Sequence, residues 1–226
     1  MSVLWPYALV DAAPRLLPPG LAGEPLRIVR ARGLQVVVGE LDAAPPADEA
    51  GWKGHDAAVR RLCAACAAVL PIRFGGAVAS HSALVRALAP QRDALAEGLA
   101  TVRGCEQMTL RVFARGSHGA APTPAPAPPP PDAGGGPGET YLRARARSYA
   151  LPELGPLRAA LQGLLRAERV EPAAQPPLLA SVYHLIARGQ AAAYADAVRT
   201  VSDTLPVRVT LSGPWPAYAF APEVPA

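Results

Sequence analysis

The sequence predicts an α+β protein of two small domains, and three observations predict it. Short runs rich in Val, Leu and Ile read as strands, while other segments repeat their apolar residues every three or four positions, as helices do. Between 122 and 137, eight of sixteen residues are proline, and Gly134, Gly135, Gly136 and Gly138 lie in or beside that run. Proline lacks an N–H and glycine a side chain, so this stretch offers nothing to a core and reads as a linker. The chain has 226 residues, enough for two domains of ordinary size. The expected boundaries are 1–115 for the first domain, 116–138 for the flexible linker and 139–226 for the second domain.

In chain order, 4–10 reads as a strand leading into a Pro/Gly-rich loop through Gly23. Residues 26–31 and 34–41 read as a hairpin turning at Arg32-Gly33, with Val36, Val37 and Val38 strongly β-prone. The acidic stretch 42–51 reads as a loop. Asp56 is positioned to cap a helix whose apolar face carries Val59, Leu62, Cys63, Cys66 and Val69, ending at Leu70 because Pro71 disfavours helical geometry before it. A short strand over 70–75 follows. Ser80 or Ser82 caps the next helix, and Pro90 restarts it for a segment carrying Leu95 and Leu99. Residues 104–114 alternate Met108, Leu110 and Val112 with Thr109, Arg111 and Phe113, as a half-buried strand does.

Beyond the linker, 139–150 reads as a helix. Leu157, Ala160, Leu161, Leu164 and Leu165 form an amphipathic helical face. Residues 178–187 read as a strand, 190–204 as a helix with Tyr194, Ala197, Val198 and Val201 inward, and 205–211 as the last strand. The chain is then expected to turn at Gly213-Pro214-Trp215-Pro216, since two prolines around a tryptophan interrupt a hydrogen-bonded ladder. Trp215, Tyr218 and Phe220 gather three rings in six residues of a chain that is only 5% aromatic. They read as a buried plug, with Trp215 its packed anchor.

Composition narrows the function. No apolar run is long enough to span a membrane, and the N-terminus does not resemble a signal peptide, which together imply a cytoplasmic protein. A net charge of +4 comes from scattered arginines and the single Lys53. Nucleic-acid binding needs clustered cations, and Arg143, Arg145 and Arg147 do not share one helix face. Cys63-Ala64-Ala65-Cys66 has the spacing of half a zinc site, without a second half. Cys63, Cys66 and Cys105 are therefore expected to be small apolar residues that bind no metal. His55, His81, His118 and His184 stand apart from one another in sequence, and no nucleophile with its base is recognisable. An enzyme of unknown chemistry and a basic nucleic-acid binder remain the alternatives to an interaction protein.

Four segments together resemble the gas vesicle protein L/F family (GvpL/GvpF). They are HDAAV at 55–59, LPIRFG at 70–75, GETYLRAR at 138–145 and SGPWPAYAF at 212–220. Within them Arg73, Phe74, Gly75, Tyr141, Leu142, Gly213, Pro214, Trp215, Pro216, Tyr218 and Phe220 carry the resemblance. Ala217 and Ala219 depart from the proline and serine usual there. The resemblance implies two α+β domains, the C-terminal one ferredoxin-like. It also implies a non-enzymatic accessory protein of gas vesicle formation, without cofactor, whose partners are the apolar shell protein and other accessory proteins.

Overall fold

The computed structural model describes residues 2–115 and 151–222. Eight strands and five α-helices account for most of them. The described residues divide into two compact units: 2–107 with Leu185–Arg188 and 214–222, and 108–115 with 151–184 and 189–213.

The first unit is organised by β1 (Val3–Val10), which pairs antiparallel with both β3 (Leu34–Leu41) and β4 (Val69–Pro71). With β2 (Arg27–Ala31) outside β3, the sheet order is β2-β3-β1-β4. A central strand tolerates proline poorly, and the register between β1 and β3 shifts between Pro6 and Ala8, where a bulge accommodates the missing donor. The β2–β3 turn is made by Arg32 and Gly33, both at positive φ, the geometry of a tight two-residue hairpin loop.

Helix α1 (Glu49–Ala65) covers this sheet, burying Gly51, His55, Ala58, Val59 and Leu62 at helical spacing. Its cap is Asp48, whose side chain accepts from the Gly51 N–H at 2.8 Å, and not Asp56. The helix thus begins inside the expected loop, and Asp56 lies in its body, paired with Arg60. It also stops at Ala65 instead of Leu70, because Val69-Leu70-Pro71 leave to pair with Val10-Leu9-Ala8. Ser80 caps α2 (His81–Leu88); a 3₁₀ turn holding Pro90 links it to α3 (Arg92–Thr101).

The second unit contains α4 (Gly155–Leu161), β6 (Leu165–Pro172), α5 (Ala191–Ser202) and most of β5 (Cys105–Ala114), β7 (Leu178–Ala187) and β8 (Val207–Trp215); the start of β5 and the ends of β7 and β8 belong to the first unit. Helices α4 and α5 pack together. The sheet order β6-β7-β5-β8 is that of a ferredoxin-like fold, whose first strand lies between its third and fourth. The expected architecture stands, with two changes in its parts. Strand β5 pairs into this sheet, with only its first residues in the first unit, while 185–188 and 214–222, expected in the second domain, lie in the first unit. Strand β6 replaces the end of the expected amphipathic helix, which stops at Leu161 just before Gly163. The expected linker 116–138 and the helix 139–150 lie outside the described residues. Among the described residues no helix is long and apolar enough to cross a membrane.

Candidate functional site

Strand β8 runs past its expected end at Leu211, through Gly213-Pro214 to Trp215, so the first proline does not interrupt it. Gly213 has φ of 128°, a conformation that L side chains rarely adopt, and this brings the chain into the following segment. Within the first unit that segment buries Pro216, Ala217, Ala219 and Ala221. The Ala219 N–H donates to the buried Gln107 Oε1 at 2.9 Å, and Tyr218 packs on the core cluster that includes Trp5, Tyr7 and Leu62. Burial, with Asp56 beside it, pushes the Tyr218 phenol far above its ordinary range, so it stays protonated and can donate to that carboxylate.

Trp215 departs from the expected buried anchor. It is 38% exposed, one of three large apolar residues among those described that stay open, with Leu16 and Trp52. The small residues around it do the plugging instead. The Arg60 guanidinium lies 4.5 Å from the Trp215 ring centroid, held by Asp56 Oδ2 at 2.6 Å from Nε and by the Pro214 carbonyl. Such a stacked cation contributes about 0.5–1 kcal/mol at an exposed site.

Beside the ring opens a cleft of about 230 Å³, lined by Arg60, Cys63, Val69, Cys105, Arg188 and Pro214 to Ala217 among others. Its volume suits one large apolar side chain. Burial pushes the Cys63 thiol up to about 11, so the cleft offers no thiolate nucleophile from that residue at neutral pH. Cys66 is buried as expected, whereas Cys63 and Cys105 are only half-buried. Among the described residues no three His, Cys, Asp or Glu side chains gather as metal ligands would.

The motif residues scatter through the fold by role. Phe74 stands edge-on to Trp5 and His55, at 4.9 and 5.8 Å between centroids. Arg73 is exposed, and Gly75 takes a φ of 108° that a residue with a side chain could adopt only under strain. Phe220 is half-buried in the 3₁₀ turn after Ala217. Tyr141 and Leu142 lie outside the described residues.

Two polar clusters escape a reading of the sequence. In the first unit His55 is buried, accepts from Trp5 Nε1 at 3.0 Å and donates to the Ile72 carbonyl at 2.9 Å, with Tyr7 stacked on its ring. In the second unit His184 meets Tyr194 Oη at 2.6 Å and Glu168 at 2.8 Å, and Arg158 grips the same carboxylate. Spacings of 50, 17, 10 and 16 residues hide both from any local motif.

A family model described as gas vesicle synthesis protein GvpL/GvpF matches residues 3–222. The chain belongs to the GvpL/GvpF family. The fold agrees with two crystal structures of GvpF. The GvpF of Anabaena sp. PCC7120 superposes with a TM-score of 0.69 at 16% identity, covering 98% of this chain and 97% of that one. The GvpF of Microcystis aeruginosa gives 0.69 at 14% identity, over 97% and 99% of the two chains. No curated protein matches the sequence.

Proposed function

We propose that this GvpL/GvpF protein is a non-enzymatic accessory factor of gas vesicle formation, which binds the apolar shell protein and other accessory proteins during assembly in the cytoplasm. The observation that carries the reading is the family match over residues 3–222. The first unit supplies a surface suited to it: a half-exposed Trp215 beside a cleft whose walls are mostly apolar, with Arg60, Glu106 and Arg188 among them. Tryptophan and arginine are the side chains that most often dominate binding energy at interfaces. An apolar side chain of a partner seated in the cleft would bury Trp215 and the prolines around it, hiding surface that otherwise aggregates.

Binding through apolar burial resists salt, because screening acts on charges and not on hydrophobic contact. Co-expression with the cognate shell protein should keep part of that protein soluble. Capture should be equal at low and high salt and absent for an unrelated apolar peptide. Equal capture of both, or capture lost with salt, would reject a dedicated assembly role.

A further inference from the structure

The second unit carries a charged sheet face that the cleft does not involve. Along β5, Met108, Leu110 and Val112 are buried, whereas Arg111 is exposed and Phe113 half-buried. On β7, His184 turns toward Tyr194 of α5, so Tyr183 points to the opposite face of the sheet. Contacts assign the other side chains to Tyr183's face. Tyr183 Oη donates to Glu171 of β6 at 3.0 Å, and Arg169 reaches the same carboxylate at 3.3 Å. The Arg111 charge acts on the Tyr183 phenol, which places it alongside. Arg208 of β8 lies 4.1 Å from the Phe113 ring centroid.

This face therefore holds three guanidiniums against one carboxylate, and Arg169 and Tyr183 already engage that carboxylate. Arg111 and Arg208 form no ion pair with any described residue. Both are exposed, on the two neighbouring strands β5 and β8. A guanidinium presents a planar fork of donors that matches a carboxylate, and two of them on one sheet face favour a partner of complementary charge.

We propose that this face docks an acidic segment of a protein partner, with Arg111 and Arg208 pairing its carboxylates and the Phe113 ring supporting the Arg208 guanidinium. A nucleic acid fits less well. Two cations without an ion pair among the described residues are few beside the roughly six to ten phosphate contacts of a strong binder. The Phe113 ring is also covered by Arg208 instead of open to a base. This docking is charge-driven and in the second unit, so it stands or falls separately from apolar capture by the first.

The test uses the full chain and a labelled peptide of about twelve residues alternating Glu and Ala, followed by fluorescence anisotropy at low and high salt. A peptide with Lys in place of Glu and an oligo-dT of similar length are measured alongside. The Glu peptide should bind at least about tenfold tighter than the Lys peptide and weaken several-fold with salt. Arg111→Glu with Arg208→Glu should lose about tenfold or more, while the charge-matched Arg30→Glu with Arg86→Glu in the first unit should lose less than about twofold. Should the first pair fail to fold, Arg111→Gln with Arg208→Gln is read instead, after its melting curve matches wild type, and should lose several-fold. Equal losses in both pairs would mean adhesion to net charge and overturn the proposal. No preference for Glu over Lys, or tighter binding of oligo-dT than of the Glu peptide, would overturn it as well.

Discussion

The first unit holds a buried histidine by neutral groups, and the second holds one against a charge. His55 sits among Trp5, Tyr7 and Phe74, accepting at Nδ1 and donating at Nε2 to a carbonyl, so the hydrogen bonds admit only the neutral ring. Burial holds its pKa below the ordinary 6.5. His184 instead donates to Glu168, a carboxylate that Arg158 holds from the other side through its Nε and Nη2. The hydrogen bond from His184, and then Arg158, hold the Glu168 carboxyl at about 2 against the opposing effect of burial. The same side chain therefore serves as an aromatic core residue in one unit and as the middle of a charged relay in the other. What decides between them is the chemistry of partners brought from elsewhere in the chain.

The largest break in this comparison should come from Trp5→Ala. It removes a fully buried ring and leaves His55 Nδ1 without its donor, for a loss of about 3–5 kcal/mol in chemical unfolding. Tyr194→Phe cuts only the hydroxyl contact of His184 in the second unit, and should cost about 1–3 kcal/mol. If the two variants cost the same, the aromatic cage would be no more central than the relay.

Acid sharpens the contrast. The native state keeps His55 neutral while the unfolded chain takes up its proton near pH 6.5. Its contribution is therefore complete above that pH and lost as pH falls below it, with a slope of up to about 1.4 kcal/mol per pH unit. Urea unfolding between pH 7 and 5 should show that slope in wild type and not in His55→Gln; a flat wild-type profile would mean the ring is not locked neutral. The Glu168 contribution is complete above 4.5 and lost as pH falls toward 2, so Glu168→Gln should flatten only that lower window.

The smallest expected effect on stability is at Trp215. With its ring partly in water, Trp215→Ala should cost less than about 1 kcal/mol and still reduce capture of the shell protein several-fold. A loss of 3 kcal/mol or more, about the cost of removing a packed ring, would make it a structural anchor after all.

Much of the fold was legible because local physics governs it. The hairpin over 27–41 follows from β-branched residues around Arg32-Gly33, and α5 from the spacing of Tyr194 and Val198. Strand β6 was hidden because an edge strand with Arg166, Glu168, Arg169 and Glu171 shows no apolar alternation, while Leu164 and Leu165 prolong the helical period before it. The start of α1 was missed because Asp56 resembles a cap, and only burial of Gly51 and His55 shows that the helix is already under way. At the cleft, the motif segment was legible as a segment but its inside and outside were not. Ring size suggested that Trp215 is buried, whereas the space available suits Ala217 and Ala219.

The interleaving of the two units has a consequence for the order in which the protein is made. Domains ordinarily fold from the N-terminus as the ribosome releases them. Here Tyr218, Ala219 and the acceptor that Ala219 uses on Gln107 complete a core whose first strand is Val3–Val10, so synthesis separates the two ends of one core by nearly the whole chain. Until residues 214–222 emerge, α1 and the sheet beneath it lack part of their cover. The nascent first unit therefore waits, with apolar surface open, for the last segment to arrive.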